Sequence, residues 1–195
     1  MITVDLLRHG ELEGGVKYRG QLDDPLTVAG RASMDAVWER IGEDIDLVIS
    51  SPLSRCLQAA REWTVKHGMA CDIDSRVAEM HYGEWEGLTA EEIMTRYPGM
   101  LEQWRMNPED MQIPGGESAT QLHDRIAEFW SDICEKYDGQ HLLVVAHSGS
   151  IRMLLAHILS APIVSTRLMQ MPYGCWSRAV YRDGKSELVF HNNEY

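Results

Sequence analysis

The chain has 195 residues, 44% of them hydrophobic and 25% charged, which suits a single globular domain with a substantial core. Eighteen basic residues against thirty acidic ones give a net charge of −12, a balance that argues against nucleic acid or an anionic membrane as partner. No apolar run is long enough to span a bilayer, and the opening "MITVDLL" lacks a basic leader and a small-residue cleavage site, so a cytoplasmic location is expected.

In chain order, "TVDLL" is a leucine-rich and β-branched run that reads as a buried strand, and "DLVIS" (46–50) is a second. Between them Thr27 caps a helix whose Met34, Val37, Trp38 and Ile41 recur at helical spacing. After Ser51-Pro52 a further helix is expected to run to His67, with Leu53, Leu57, Ala60 and Thr64 on its apolar face. "MACDID" (69–74) is a third strand candidate. "TAEE" (89–92) has the capping-box arrangement and opens a short helix that must end near Pro98. Residues 98–117, with three prolines and three glycines, read as a long excursion with one helical turn around Trp104, either a lid or a variable surface loop. Ser118 starts the clearest helix, with Leu122, Ile126, Phe129 and Ile133 on one stripe. "HLLVVAH" (141–147) is the clearest strand, and a helix from about Ser150 to Leu159 follows it. Two β runs, "GCWSRAVY" and "SELVFH", are joined through the Asp-Gly turn of "RDGK" as a hairpin. This alternation predicts one α/β domain over residues 1–195, a three-layer sandwich with helices on both faces of a mostly parallel, mixed sheet. Cys56, Cys71, Cys134 and Cys175 are widely spaced, form no C-x-x-C, and read as free packing cysteines.

Two of the strands end in histidine. "VDLLRHG" delivers His9 and "LLVVAHSG" delivers His147, each followed by glycine within two residues. Either alone reads as a turn or a structural histidine. Together, at the carboxyl edge of a sheet where ligand crevices form, they point to one shared site. Arg8 precedes the first histidine, and Arg55 lies just beyond "LVISSP"; two guanidinium forks there suit a phosphate. The backbone N–H groups after His147, at a helix start, add an anion site. A histidine ring nitrogen is a competent phosphoryl acceptor when the other nitrogen is held by a hydrogen bond. An acid for the leaving oxygen is available in "VAEMHYGEWEG" (77–87), as Glu79, Glu84 or Glu86, and spacing does not choose among them.

"LRHGE", "DDPLTVAG", "SSPLSRCLQAA", "AEMHYGEWEG", "PGGES" and "VVAHSG" stand in the order seen in the histidine phosphatase superfamily, the phosphoglycerate mutase-like proteins, which this chain resembles from residue 6 to about 150. The resemblance implies that His9 is the phosphorylated nucleophile, that Arg8, Arg55 and His147 hold the phosphate, with the backbone of Ser148 beside them, and that Glu79 is the proton donor. It implies no metal and no cofactor, and no H-E-x-x-H spacing is present. Relatives often carry threonine and asparagine where this chain has Leu12 and Gly15, so one polar phosphate contact is expected to be missing.

Three activities follow from that resemblance: a phosphomonoesterase, a phosphoglycerate mutase, and a catalytically silent phosphate-binding protein. The mutases are generally longer, which favours the phosphatase, and all five expected side chains are present, which disfavours the silent protein. "GEWEG", "LEQWRMNP" and "GCWS" (174–177) resemble the α-ribazole-phosphate phosphatases of cobalamin nucleotide-loop assembly, although "GCWS" also reads as ordinary strand packing. The expected partner is therefore a small phosphomonoester, α-ribazole 5′-phosphate or a broader set.

Overall fold

The computed structural model describes residues 1–193. Its elements run β1 (Ile2–Arg8), α1 (Val28–Ile41), β2 (Leu47–Ser50), α2 (Ser54–His67), β3 (Cys71–Ile73), α3 (Ala90–Arg96), α4 (Met100–Met106), α5 (Ala119–Lys136), β4 (His141–Ala146), α6 (Ser148–Ile158), β5 (Trp176–Arg182) and β6 (Lys185–Asn193). The strands form one mixed sheet in the order β3-β2-β4-β1-β5-β6. Its first four members are parallel, and the β5–β6 hairpin adds antiparallel to the free edge of β1. The hairpin turns through Asp183 and Gly184, both at positive φ, as the Asp-Gly pair predicts.

Side-chain alternation along the central strands divides the core in two. Ile2, Val4 and Leu6 of β1, Leu142 and Val144 of β4 pack with α5 and α6 on one face. Leu7, Val48, Leu143 and Val145 face the other way, against Met34, Val37, Trp38 and Ile41 of α1 and Cys56, Ala60 and Trp63 of α2. The expected sandwich, mostly parallel and covered on both faces, is therefore the fold.

Several local expectations hold. The Thr27 hydroxyl accepts from the Gly30 N–H, and the Thr89/Glu92 and Ser118/Gln121 pairs form reciprocal capping boxes. Two need correction. On α2 the buried stripe is Arg55, Cys56, Ala59, Ala60, Trp63 and Thr64, whereas Leu53 and Leu57 are only partly buried. The helix is rolled because its first turn carries Arg55 inward, where carbonyl groups hold the guanidinium. The 98–117 segment is also more ordered than a loop with one turn: α4 spans Met100–Met106, and Leu101 and Ile113 are fully buried in the main core.

A carboxylate is buried within the sheet. Asp5, in the middle of β1, is fully buried and accepts from His141 Nε2 at 2.7 Å, Trp176 Nε1 at 2.7 Å and Arg178 at 2.9 Å. It thereby ties β1 to both neighbours, β4 and β5. Burial pushes its pKa up, but hydrogen bonds from His141, Arg178 and Trp176 together outweigh it and leave the carboxyl below the usual 3.8. A lowered folded pKa contributes stability that is present above 3.8 and is lost as pH falls through the lower folded value. We predict that Asp5→Asn costs about 3 kcal/mol, by analogy with other broken buried pairs. The measurement is the urea midpoint at unchanged m-value, and the deficit should shrink as pH falls below that window.

Candidate active site

The two histidines meet because of register. β1 and β4 pair in parallel with Arg8 opposite Ala146, so the next residue on each strand is a histidine, and the His9 N–H donates to the Ala146 carbonyl at 3.0 Å. The rings stand edge to face with centroids 5.2 Å apart. Gly10 is required at this exit for steric reasons: a Cβ there would lie 1.8 Å from the Gly30 carbonyl oxygen of α1.

His9 is 4% exposed, and its Nδ1 lies 2.8 Å from the Gly10 carbonyl oxygen. A carbonyl only accepts, so Nδ1 carries the proton and Nε2 is left with a free lone pair. Burial first, then the positive charges of Arg8, Arg55 and Arg19, push the His9 pKa well below 6.5; the Gly10 carbonyl only partly opposes them. The ring is thus neutral at physiological pH.

Arg55 is 1% exposed. Its Nε donates to His147 Nδ1 at 3.1 Å, and its two terminal nitrogens donate to the carbonyls of Leu22 at 2.6 Å and Gly20 at 2.7 Å. Asp23 accepts from the Ser54 N–H at the start of α2 and lies 3.4 Å from Arg55 Nη1. His147 then has Nδ1 as acceptor, which makes Nε2 the donor to Ser51 Oγ at 2.7 Å. It is fully buried, and burial together with Arg55, His9 and Arg8 holds its pKa well below 6.5. Both of its ring nitrogens are occupied by protein partners, so it braces Arg55 behind His9. Arg8 stacks over Tyr173 at 4.0 Å from the ring centroid and donates to the Met171 carbonyl, while its Nε is buried without a protein partner among the described residues.

Of the three glutamates, Glu79 is the one brought to this crevice; Glu84 accepts from the Tyr97 hydroxyl, and Glu86 accepts from the Gln21 and Tyr82 N–H groups. Glu79 is 6% exposed and accepts from Met80 N–H at 3.0 Å, Gly149 N–H at 3.2 Å and the Ser148 hydroxyl at 3.3 Å. The start of α6 therefore seats a carboxylate, an arrangement its N–H groups and dipole favour. A Cβ at Gly149 would lie 2.3 Å from Glu79 Oε1, so glycine here lets the carboxylate sit against the helix start without being displaced. The loop itself is clamped from α5: Arg125 donates to the carbonyls of Arg76, Ala78 and Glu79 while paired with Glu117 at 2.6 Å.

Arg8, His9, Arg55, Glu79 and Ser148 all line a cavity of about 460 Å³, and His147 lies just behind it. Arg19, Arg105, Arg152, Arg167, Tyr18, Tyr82 and Tyr173, none of them among the candidates the sequence offers, line it too. They are scattered along the chain without a common spacing, so no motif exposed them. Leu12 is buried in the cavity wall, and the Gly15 carbonyl accepts from Arg19 Nη2 at 2.7 Å. The segment after His9 thus brings the Arg19 guanidinium to the cavity wall, where Asp24 and the carbonyls of Glu13 and Gly15 hold it.

A mixed sheet whose adjacent parallel strands end in two neutral histidines, one in an arginine-lined crevice and one directly behind it, is the architecture of a phosphate-transfer enzyme. The chain belongs to the histidine phosphatase superfamily (branch 1), whose sequence pattern matches residues 4–194. It is 31% identical to the probable phosphoglycerate mutase GpmB of Salmonella choleraesuis over 190 residues, 95% of this chain and 87% of that protein. It is similar in structure to the mycobacterial glucosyl-3-phosphoglycerate phosphatase complexed with VO3, with a TM-score of 0.88 and 27% identity over 98% of this chain and 99% of the other. It is also similar to the α-ribazole phosphatase of Shigella flexneri, with a TM-score of 0.88 and 25% identity over 98% and 96% of the two chains.

The environment of His9 makes a spectroscopic prediction. In a nitrogen-resolved NMR titration His9 should show a protonated Nδ1, a bare Nε2 and a midpoint below 6.5. Arg8→Met should move that midpoint upward, because it removes a cation that opposes the imidazolium. A midpoint at or above 6.5 in the parent protein contradicts this account.

Proposed function

We propose that this enzyme is a phosphomonoesterase that works through a phosphohistidine on His9. The observation that carries the reading is the fixed His9 tautomer, which leaves an Nε2 lone pair in a crevice built for an anion. In the first step that lone pair attacks phosphorus, the P–Nε2 bond forms and the ester P–O bond breaks. The leaving oxygen takes its proton from Glu79. In the second step water attacks phosphorus, passes a proton to the Glu79 carboxylate, and the P–N bond breaks to release orthophosphate. Arg8 and Arg55 neutralise the charge on the phosphoryl oxygens, where fixed donors in a desolvated site act most strongly on the transition state. His147 contributes chiefly by holding Arg55. The VO3 complex of the mycobacterial relative supports an oxyanion site on this fold.

The substrate is the finer question. Likeness to the Shigella protein and the edge-to-face aromatic cluster of Tyr18, Tyr82 and Trp104 in the cavity wall support α-ribazole 5′-phosphate, whose aromatic base suits an aromatic lining. "GCWS" lends no support, because Trp176 packs on Phe190 in the opposite core layer and donates to Asp5. A second reading, a substrate with an additional anionic group, is favoured by the surplus of arginines in the cavity.

Enzyme quenched during turnover should hold acid-labile, alkali-stable phosphate that His9→Ala lacks, and chelators should leave the rate unchanged. Phosphate found on serine, or strong inhibition by EDTA, would overturn the mechanism. Glu79→Gln should lose about 10²- to 10⁴-fold in kcat with alkyl phosphates, the usual worth of a general acid. Formation of phosphoenzyme from an aryl phosphate should suffer far less, so phosphoenzyme accumulates. Gly149→Ala, which drives a methyl group into the Glu79 carboxylate, should shift kcat in the same direction while His9 is still phosphorylated. If Glu79→Gln is impaired equally on both esters, the proton comes from elsewhere.

A further inference from the structure

The two arginines beside the histidines are held in unlike ways. Arg55 is fastened by two carbonyls and by His147. Among the described residues Arg8 makes one side-chain hydrogen bond, from Nη1 to the Met171 carbonyl, and no carboxylate lies within 4.0 Å of it. Its Nε is buried without a protein partner. A single hydrogen bond leaves a guanidinium free to turn about that contact. The second hold on Arg8 is the Tyr173 ring, whose centroid lies 4.0 Å from Cζ. A flat cation laid on a flat ring has its plane defined, and the negative face of the ring attracts it there.

The backbone around Tyr173 sets the ring in place. The Gly174 N–H donates to the His9 carbonyl at 3.2 Å and the Arg8 N–H to the Cys175 carbonyl at 3.0 Å, so this segment lies along Arg8 and His9 before it enters β5. Gly174 takes a φ of 69°, a left-handed conformation that favours glycine. Tyr173 itself is only partly buried, belongs to neither hydrophobic core and lines the crevice. Its ring neighbours among the described residues are Arg8 and His9, the latter at 5.8 Å between centroids with the planes tilted by 48°. A tyrosine kept for packing would meet an apolar cluster; this one meets the two residues at the end of β1. The place of Arg8 also matters to the nucleophile, because after burial its charge acts most strongly against an imidazolium at His9. Arg55 from α2, Arg19 from the segment after β1 and the His147 ring from the end of β4 also face His9, but of these cations only Arg8 stacks on Tyr173.

We propose that Tyr173 is a positioning residue, whose ring fixes the plane of the Arg8 guanidinium so that its donors meet the phosphoryl group beside His9. The proposal rests on the phosphomonoesterase reading for the role of Arg8, and adds to it a residue outside the ordered motifs. A guanidinium that is already oriented has little freedom left to lose when charge develops on the phosphoryl oxygens, so the benefit falls on kcat more than on KM. The face of the ring does this, not the hydroxyl, and a phenylalanine face serves as well.

The test is a double-mutant cycle between Arg8 and Tyr173, read on the hydrolysis of an aryl phosphate and on the NMR titration of His9. Tyr173→Leu should lower kcat by about three- to thirty-fold, the span of a cation–π contact from exposed to desolvated, with KM changed less. Tyr173→Phe, which keeps the ring, should recover the parent kcat to within about twofold. In the Arg8→Met background Tyr173→Leu should cost nothing further. The His9 midpoint should follow the same pattern: Tyr173→Leu raises it, because the released Arg8 charge moves toward water, and in Arg8→Met the same substitution leaves it in place. A side chain that only fills space would lower the rate or raise the midpoint equally in both backgrounds, and that result overturns the proposal. So does a Tyr173→Leu enzyme with the parent kcat, or a Tyr173→Phe enzyme as slow as Tyr173→Leu. If the parent protein turns over no ester, the phosphomonoesterase reading fails and the titration cycle decides the positioning alone: a rise confined to the background that retains Arg8 upholds it, and any other pattern overturns it.

Discussion

Parallel pairing of β1 with β4, with Arg8 opposite Ala146, is the constraint on which the rest of the crevice depends. A slip of one residue would turn every side chain of β1 to the other face, exchanging Ile2, Val4 and Leu6 with Asp5 and Leu7. Two layers of helices make that slip prohibitively expensive, and buried Asp5, bonded to groups on both flanking strands, makes it worse. Because the strands cannot slide, their ends cannot either. His9 and His147 leave the sheet side by side, and Ser51, which follows β2 on the other side of β4, reaches His147 Nε2.

Concentrating positive charge at that edge creates a problem that the surrounding loops solve. A fully buried arginine is tolerable only with its donors satisfied. Arg55 is met by two carbonyls of the segment before α1, by His147 and, at longer range, by Asp23. The "DDPLT" block thereby acquires a physical meaning. Asp23 anchors the start of α2, and Asp24 compensates Lys17 and Arg19. The two aspartates stand behind the cations and leave the cavity itself positive. The same cations, with burial, keep His9 unprotonated, so one arrangement attracts an oxyanion and preserves the lone pair that would attack it.

Glu79 illustrates a different kind of support. The loop that carries it forms no regular strand or long helix, so its backbone groups need partners from outside. Arg125 reaches across from α5 to three of its carbonyls, and Gln21 donates to the Glu79 carbonyl at 2.9 Å. Glu117 of "PGGES" is the counter-ion that aims Arg125. That motif touches neither histidine, yet it is what sets the carboxylate against the first turn of α6.

The sequence by itself determined what depends on neighbours along the chain. Helix caps at Thr27, Thr89 and Ser118, the apolar stripe of α5, the Asp-Gly turn and the buried runs of β1 and β4 are all local, set by backbone valence and side-chain period. Arg8, His9, Arg55, His147 and Glu79 were legible as candidates because each lies in a short, ordered motif. Tertiary structure alone decided what depends on register and crossing. Pairing of β1 with β4 made the two histidines neighbours, and the inward pull on Arg55 rolled α2 away from its simplest apolar stripe. Leu101 and Ile113 gave α4 and the loop after it a core to pack on, which the prolines and glycines around them concealed. Arg105, Arg152 and Arg167 share no motif and converge only because three separate elements close over one cavity. Such convergence leaves no periodic trace in the chain, since the contacts that create it join residues far apart in sequence.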